Sequence, residues 1–338
     1  MISDNSEYTE KDKKTISSLA EIQKPIRAEL NAFKVHFKKH LRTDVFLLNR
    51  LIDYLLRMKG KEMRPLLVLL SARISGEISE RTYTAATMIE LLHTATLIHD
   101  DVVDEAEKRR GFFSINYIWK NKASVLLGDY LLARGLLVAV REKETELLES
   151  LSTAVQKMSE GELRQLKASK LQNITEDKYF QIISEKTGSL LVACCECGAI
   201  STGASPEIRE RLKLIGYHIG LAFQIKDDLL DYSSNNTGKS SANDIIERKI
   251  TLPFLAAMDS SDRRAKRTMK RLYRKKNKTD EDISEIKSFV YHSGGIAYAK
   301  NKMEYYAGCA LKLLYEFPDS ETRHIFSEFI RFVIYRKK

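Results

Sequence analysis

Strand signals are nearly missing from this chain of 338 residues. No stretch sustains apolar/polar alternation, and neither Asn-Gly nor Asp-Gly occurs, which argues against hairpins and sheets. Proline is scarce. Of its five copies, Pro65, Pro206, Pro253 and Pro318 follow polar or glycine-containing turns and precede apolar-periodic runs, the position where proline opens a helix. Cysteine is limited to four residues. Cys194, Cys195 and Cys197 share an apolar helical run and Cys309 is distant, with no second pair or histidines at zinc spacing, so they read as core thiols of an intracellular protein. The first 20 residues lack the apolar centre of a signal peptide and read as a loose polar tail. The most apolar stretch, Val125 to Val140, contains Asp129 and Arg134 and is too short to span a bilayer. The expectation is a cytoplasmic protein.

What is present is helix. Apolar periodicity predicts helices over 21–40, 44–58, 65–75, 80–105, 115–140, 144–170, 175–202, 207–233, 252–275, 280–292, 295–316 and 320–336, hence one all-α domain from residue 21 to 338. The net charge of +10 has a local source: ten Lys or Arg and no acid lie between Arg263 and Lys278. Such a run is ordinarily a solvated helix face. Contact with anionic lipid headgroups ranks second, and nucleic acid is disfavoured because no aromatic interleaving or nucleic-acid motif accompanies the run.

The most informative feature is a duplication. Asp100-Asp101-Val102-Val103-Asp104 and Asp227-Asp228-Leu229-Leu230-Asp231 are two copies of DDxxD, and one copy is expected by chance in roughly a few per cent of chains this long. A single copy is ordinarily a solvated acidic helix end. Here each follows apolar sequence directly, where unpaired carboxylates are costly and usually meet a metal or a cation. On a helix the first and last aspartates of each copy stack on one face, giving two hard-oxygen claws suited to Mg²⁺ that could hold a diphosphate between them. Cations accompany them. Lys61 and Arg64 stand at a glycine turn before a helix start, a ready anion site; His93 lies two helical turns before Asp100; Arg109 and Arg110 leave the helix end after the first claw, and an arginine fork suits phosphate oxygens.

The ordered set Gly-Lys-x-x-Arg-Pro, His-Thr-Ala-Thr-Leu-Ile-His-Asp-Asp-Val-Val-Asp, Arg-Arg-Gly, Lys186-Thr187-Gly188, Phe-Gln-Ile-Lys-Asp-Asp-x-x-Asp, Gly238-Lys239 and Glu-Arg-Lys-Ile-Thr-Leu-Pro resembles the trans-prenyl diphosphate synthases. The resemblance implies an isoprenoid-synthase helical bundle around a central elongation cavity, a homodimer, and condensation of an allylic diphosphate with isopentenyl diphosphate. By position it implies that Lys61, Arg64, His93 and Arg110 bind isopentenyl diphosphate. Asp100, Asp104, Asp227, Asp228 and Asp231 would hold three Mg²⁺ on the allylic diphosphate, with Asp101 in support, while Arg109, Lys186, Lys239 and Lys249 neutralise its oxygens. Gln224, one helical turn before Asp228, and Thr187, beside a glycine able to kink its helix, are assigned to stabilising the allylic cation. The loop Gly238–Asp244 has serines and asparagine where the family commonly has proline and glycine, which loosens the placement of Lys239.

Thr96 and Ala95 fall four and five residues before Asp100, under the diphosphate site, and their small size leaves a tunnel open. Product length is therefore expected at about C30 to C50, with Leu92, Met88 and the helix from Tyr130 to Leu137 setting the floor and Ala95→Tyr shortening the product. Quinone side chains are the commonest use of such products. Two other readings are a catalytically silent subunit of a heteromeric enzyme, which retention of both claws disfavours, and a short-chain synthase. A terpene cyclase is disfavoured because its second motif is typically an Asn/Ser/Glu triad.

Overall fold

The computed structural model describes residues 17–58, 60–109, 111–171, 174–233 and 242–336. Two of the expected site residues, Arg110 and Lys239, lie outside them, as does most of the polar tail. The helices are α1 (Leu19–Gln23), α2 (Arg27–Leu41), α3 (Phe46–Arg57), α4 (Met63–Ser75), α5 (Glu80–Val103), α6 (Ile115–Arg141), α7 (Thr145–Leu171), α8 (Glu176–Ile183), α9 (Ser189–Ser201), α10 (Pro206–Asp231), α11 (Asn243–Ile246), α12 (Leu252–Ser260), α13 (Arg263–Arg274), α14 (Asp280–His292), α15 (Gly295–Leu314) and α16 (Glu321–Tyr335). Lys108–Arg109 and Phe112–Phe113 form a two-residue antiparallel ladder after α5.

The bundle is organised around α9. Its sequence is apolar on every side, so it cannot present a polar face to water, and Leu190, Cys194, Cys195, Cys197 and Ile200 are all buried. Burial pushes the Cys195 and Cys197 thiols up to about 12, as expected of inert core thiols. Helices α4, α5, α7 and α10 pack around α9, and α15 and α16 close the far side of α10. The helix starts follow local chemistry: Ser205 Oγ accepts from the Ile208 N–H at 3.4 Å with Pro206 in the first turn, and Thr279 and Asp282 make a reciprocal capping box.

Three expected spans and one proline reading differ. The 21–40 run is split by a 3₁₀ turn at Lys24–Ile26 containing Pro25, whose ring cannot continue the preceding hydrogen-bond ladder. The 252–275 run is two helices, because Asp262 accepts the Ala265 N–H at 2.8 Å and so caps a new helix. The 175–202 run passes through a π turn at Ser184–Gly188. Pro318 sits in the link before Ser320, the cap of α16, instead of opening the helix.

The apolar run 125–140 also proves to be part of a longer helix. By length and composition α6 is long and apolar enough to cross a membrane, contrary to the sequence estimate, although it is kinked at Lys120 (φ 67°, ψ 170°). One side packs along α5; Asp129 lies 3.3 Å from His99 and Arg134 donates to the His40 carbonyl at 2.7 Å. Its other side exposes Leu126 (64%) and Val140 (66%).

Candidate active site

The first acidic claw ends α5 and the second ends α10. His93, Thr96 and Asp100 share one face of α5 and line a cavity of about 500 Å³, joined by Arg64 from the first turn of α4 and by Lys186 and Thr187 from the π turn. Away from this polar rim the wall is apolar, with Leu190, Ile219, Phe223, Phe329 and Val333 from α9, α10 and α16. Lys186 and Thr187 also border a smaller pocket of about 120 Å³ lined by Gln224, Asp228, Asp244 and Lys249. The π turn therefore separates the surroundings of the two claws and contributes to both.

Two glycines bring that turn against α10. A Cβ on Gly220 would lie 2.6 Å from the Gly188 Cα, so the backbones touch where any side chain would separate them. At this contact Thr187 Oγ1 donates to Gln224 Oε1 at 2.8 Å, and Gln224 Nε2 donates to Asp228 at 3.2 Å. Thr187 and Gln224, each assigned separately from the sequence, thus form one hydrogen-bonded chain to Asp228 of the second claw.

The aspartates differ in their partners. Asp101 is buried and paired with Arg109 at 2.7 Å, which fits support of its neighbours and engages Arg109 within the protein. Asp100 and Asp104 are exposed at the helix end; burial of its carboxyl, followed by the charge of Glu162, pushes Asp100 above the usual carboxylate range. Asp228 accepts from Tyr179 Oη at 2.7 Å and the Leu252 N–H at 2.9 Å as well as from Gln224. Burial nevertheless raises it to about 7. Asp231 accepts from the Asp244 N–H at 2.8 Å and is raised to about 6 by burial and then by the charge of Asp244. Asp227 is raised by burial, against the charges of Arg336 and Lys61. Lys61 thereby stands near the second claw.

Among the described residues no three His, Cys, Asp or Glu side chains converge closely enough to hold an ion by themselves. Mg²⁺ usually takes one or two carboxylates and completes its shell with water and substrate phosphate oxygens. Exposed Asp100 and Asp104 and half-buried Asp227 and Asp231 fit that demand, and Asp228, already taken up by three protein donors, fits it less.

The expected tail-facing residues separate. Thr96 lines the cavity. Ala95 is buried in a different apolar cluster with Leu91, Ile98, Leu127 and Leu131, and Leu92 and Met88 belong to the main core. Neither these residues nor the 130–137 segment lines this cavity, whose apolar wall comes from Leu97 and Val103 of α5, Met63 of α4, and α7, α9, α10 and α16. The reason is angular: consecutive helix residues are about 100° apart, so with Thr96 and Leu97 turned to the cavity Ala95 is turned to the α6 side, against Leu127 and Leu131.

Four neighbours escaped the sequence reading. Glu162 pairs with Lys186 at 2.5 Å, Glu247 with Lys249 at 2.5 Å, Tyr179 holds Asp228, and Arg336 contacts Asp227 while lying 3.9 Å from the Phe223 ring centroid. Glu162, Tyr179 and Arg336 reach the site over long sequence separations or from segments without motif character, whereas Glu247 lies two residues before Lys249 within the Glu-Arg-Lys-Ile-Thr-Leu-Pro motif, where only its pairing went unread.

A helical bundle with two acidic helix ends, a cationic rim and an apolar cavity defines an isoprenoid-synthase-type enzyme. A polyprenyl synthetase family model matches residues 45–290, and the chain belongs to that family; it is a prenyltransferase. It is 34% identical over 319 residues to the all-trans-nonaprenyl-diphosphate synthase (geranyl-diphosphate specific) of Rhodobacter capsulatus, covering 94% of this chain and 97% of that one. Octaprenyl diphosphate synthase of Escherichia coli is 40% identical over 222 residues, 65% of this chain and 69% of the relative. Among solved structures, a Caulobacter crescentus CB15 polyprenyl synthase complexed with calcium and isoprenyl diphosphate superimposes with a TM-score of 0.88 at 32% identity, covering 96% of this chain and all of the other.

Proposed function

We propose that the enzyme extends farnesyl or geranyl diphosphate with successive isopentenyl diphosphates into an all-trans octaprenyl-type product serving as a quinone side chain, working as a cytoplasmic homodimer. The observation that carries this reading is the single cavity whose rim holds Arg64, His93, Asp100 and Lys186 and whose wall is apolar. A diphosphate head and a growing hydrocarbon tail need those two environments in one space.

In this reading Lys61, Arg64, His93 and Arg110 hold isopentenyl diphosphate. Lys186, Arg109, Lys239 and Lys249 face the allylic diphosphate and neutralise its oxygens, with Lys186 and Lys249 exchanging Glu162 and Glu247 for substrate oxygens. Asp100, Asp104, Asp227 and Asp231 hold Mg²⁺, three ions when the diphosphate is present, and Asp101 and Asp228 set the helix ends. Bound Mg²⁺ supplies positive charge where pyrophosphate departs. The Thr187 and Gln224 dipoles stabilise the allylic cation left when the carbon–oxygen bond breaks. The alkene of isopentenyl diphosphate then forms the new carbon–carbon bond, and the proton it loses passes to the departing pyrophosphate. The exposed apolar side of α6 is where a second copy would pack.

The test is incubation of the purified chain with labelled isopentenyl diphosphate, farnesyl diphosphate and Mg²⁺, followed by dephosphorylation and sizing of the prenol. A ladder ending at one long species is expected. A product stopping at geranylgeranyl length would replace the long-chain reading, and no incorporation with several primers would favour a silent subunit.

A further inference from the structure

Helix α13 carries more charge than its fold uses. Seven of the ten cations between Arg263 and Lys278 are exposed: Arg263, Arg264, Arg267, Arg271, Arg274, Lys275 and Lys276. Arg263 and Arg264 occupy the first turn, at the positive end of the helix dipole, where cations cost stability. The acids nearby are few. Asp262 caps the helix, Asp282 takes Lys275 at 2.5 Å, Asp280 and Glu281 open α14, and Lys266 donates to the Asp259 carbonyl at 3.2 Å. Lys278 lies 5.4 Å from the Tyr273 ring centroid, and burial together with neighbouring Arg248 lowers it to about 8. Like charges are held together here without an equal number of acids.

The other side of α13 is anchored. Met269 and Tyr273 are buried, the Tyr273 ring stacks on Phe254 at 4.0 Å, and its hydroxyl donates to the carbonyl of Lys249. At the start of the helix Ser260 Oγ donates to the Ser293 carbonyl at 2.9 Å, which brings up the end of α14 with Tyr291 70% exposed. A basic helix with an amphipathic aromatic beside it matches the headgroup layer of an anionic bilayer, where each cation near the surface contributes and a tyrosine ring is favoured.

We infer that the exposed face of α13, with Tyr291 at its edge, docks the enzyme on anionic membrane lipid. The rationale rests on the polyprenyl reading, because a long apolar product needs a bilayer to receive it. Tyr273 would hold the docked helix to the loop that carries Lys249.

The experiment is co-sedimentation with vesicles of phosphatidylcholine alone and of phosphatidylcholine and phosphatidylglycerol at about 2:1. The wild type should pellet only with the anionic vesicles, and less as salt rises from about 0.05 to 0.5 M. The variant Arg264→Gln/Arg267→Gln/Lys270→Gln/Arg271→Gln should lose roughly 100-fold in vesicle affinity while keeping wild-type circular dichroism and lipid-free turnover. Absence of wild-type binding, equal binding by the variant, or preferential capture by duplex DNA would overturn the inference. The lipid-free prenol assay reports separately on the function itself, so the two readings fail by different observations.

Discussion

Thr187 and Gln224 hold each other at 2.8 Å, so truncating either leaves a polar partner at the rim of a half-apolar site unsatisfied. Thr187→Val and Gln224→Leu should each lower kcat by about 10- to 100-fold with a smaller change in KM; single-turnover rates at wild-type level in both would remove the pair from cation stabilisation. The separation of Thr96 from Ala95 leads to a second expectation. Thr96→Phe, filling the cavity, should shorten the product seen on prenol sizing, whereas Ala95→Tyr would overpack the α5–α6 contact and cost about 1–3 kcal/mol, visible as a lower Tm. This replaces the sequence-based expectation that Ala95 faces the tail. Helix spacing puts both residues about one turn before Asp100, but facing depends on which neighbours surround the helix.

At the scale of elements, the π turn depends on the Gly188–Gly220 contact. Gly220→Ala places a Cβ 2.6 Å from backbone, where nothing flexible can yield, and should cost about 1–3 kcal/mol and displace Lys186 and Thr187, so turnover falls more than folding does. Gly308→Ala on α15 is the control: nothing lies within 4 Å of its added Cβ, and the change should raise stability by about 0.5–1 kcal/mol. Thermal melts and turnover of the two variants decide the matter. The sequence pointed to Gly188 as a kink because a glycine followed Thr187 in a helical run. Nothing in it paired Gly188 with Gly220, since that pairing is a packing event between two helices.

For the whole molecule, the buried acids dictate a pH dependence. Asp228 is pushed up to about 7 and Asp231 to about 6 from 3.8. Their folded values lie above the unfolded one, so the linked stability is complete below pH 3.8 and is lost as pH rises through 6 and 7. Half-buried His36, His40 and His218 are lowered from 6.5 mainly by partial burial, and their contribution is lost in the opposite sense, as pH falls below that value. The aspartate loss therefore runs from about pH 4 to 7 and ends above that, and the histidines oppose it over the lower part of the same range. Calorimetry of the metal-free protein should show that the wild type loses more Tm than Asp228→Asn between about pH 4 and 7; parallel profiles of the two would refute it. At the same scale, the exposed side of α6 should mediate pairing of two copies. Leu126→Glu with Val140→Glu is expected to yield monomers by light scattering, while a wild type already monomeric would end that idea.

The sequence by itself determined the helical class and put the two DDxxD copies at helix ends, because DDxxD spacing and helix periodicity are local and survive without a fold. It also located Thr187 and Gln224 on the strength of their places in motifs. Tertiary structure alone decided what each aspartate touches, with Asp101 held by Arg109 and Asp228 held by Tyr179 and Leu252. It also decided that α7, α9, α10 and α16 join α4 and α5 in the apolar wall, and that Arg336 meets Asp227 across 109 residues. Periodicity gives a helix its apolar stripe, but the rotation and neighbours of that stripe are fixed only when helices distant in sequence pack together.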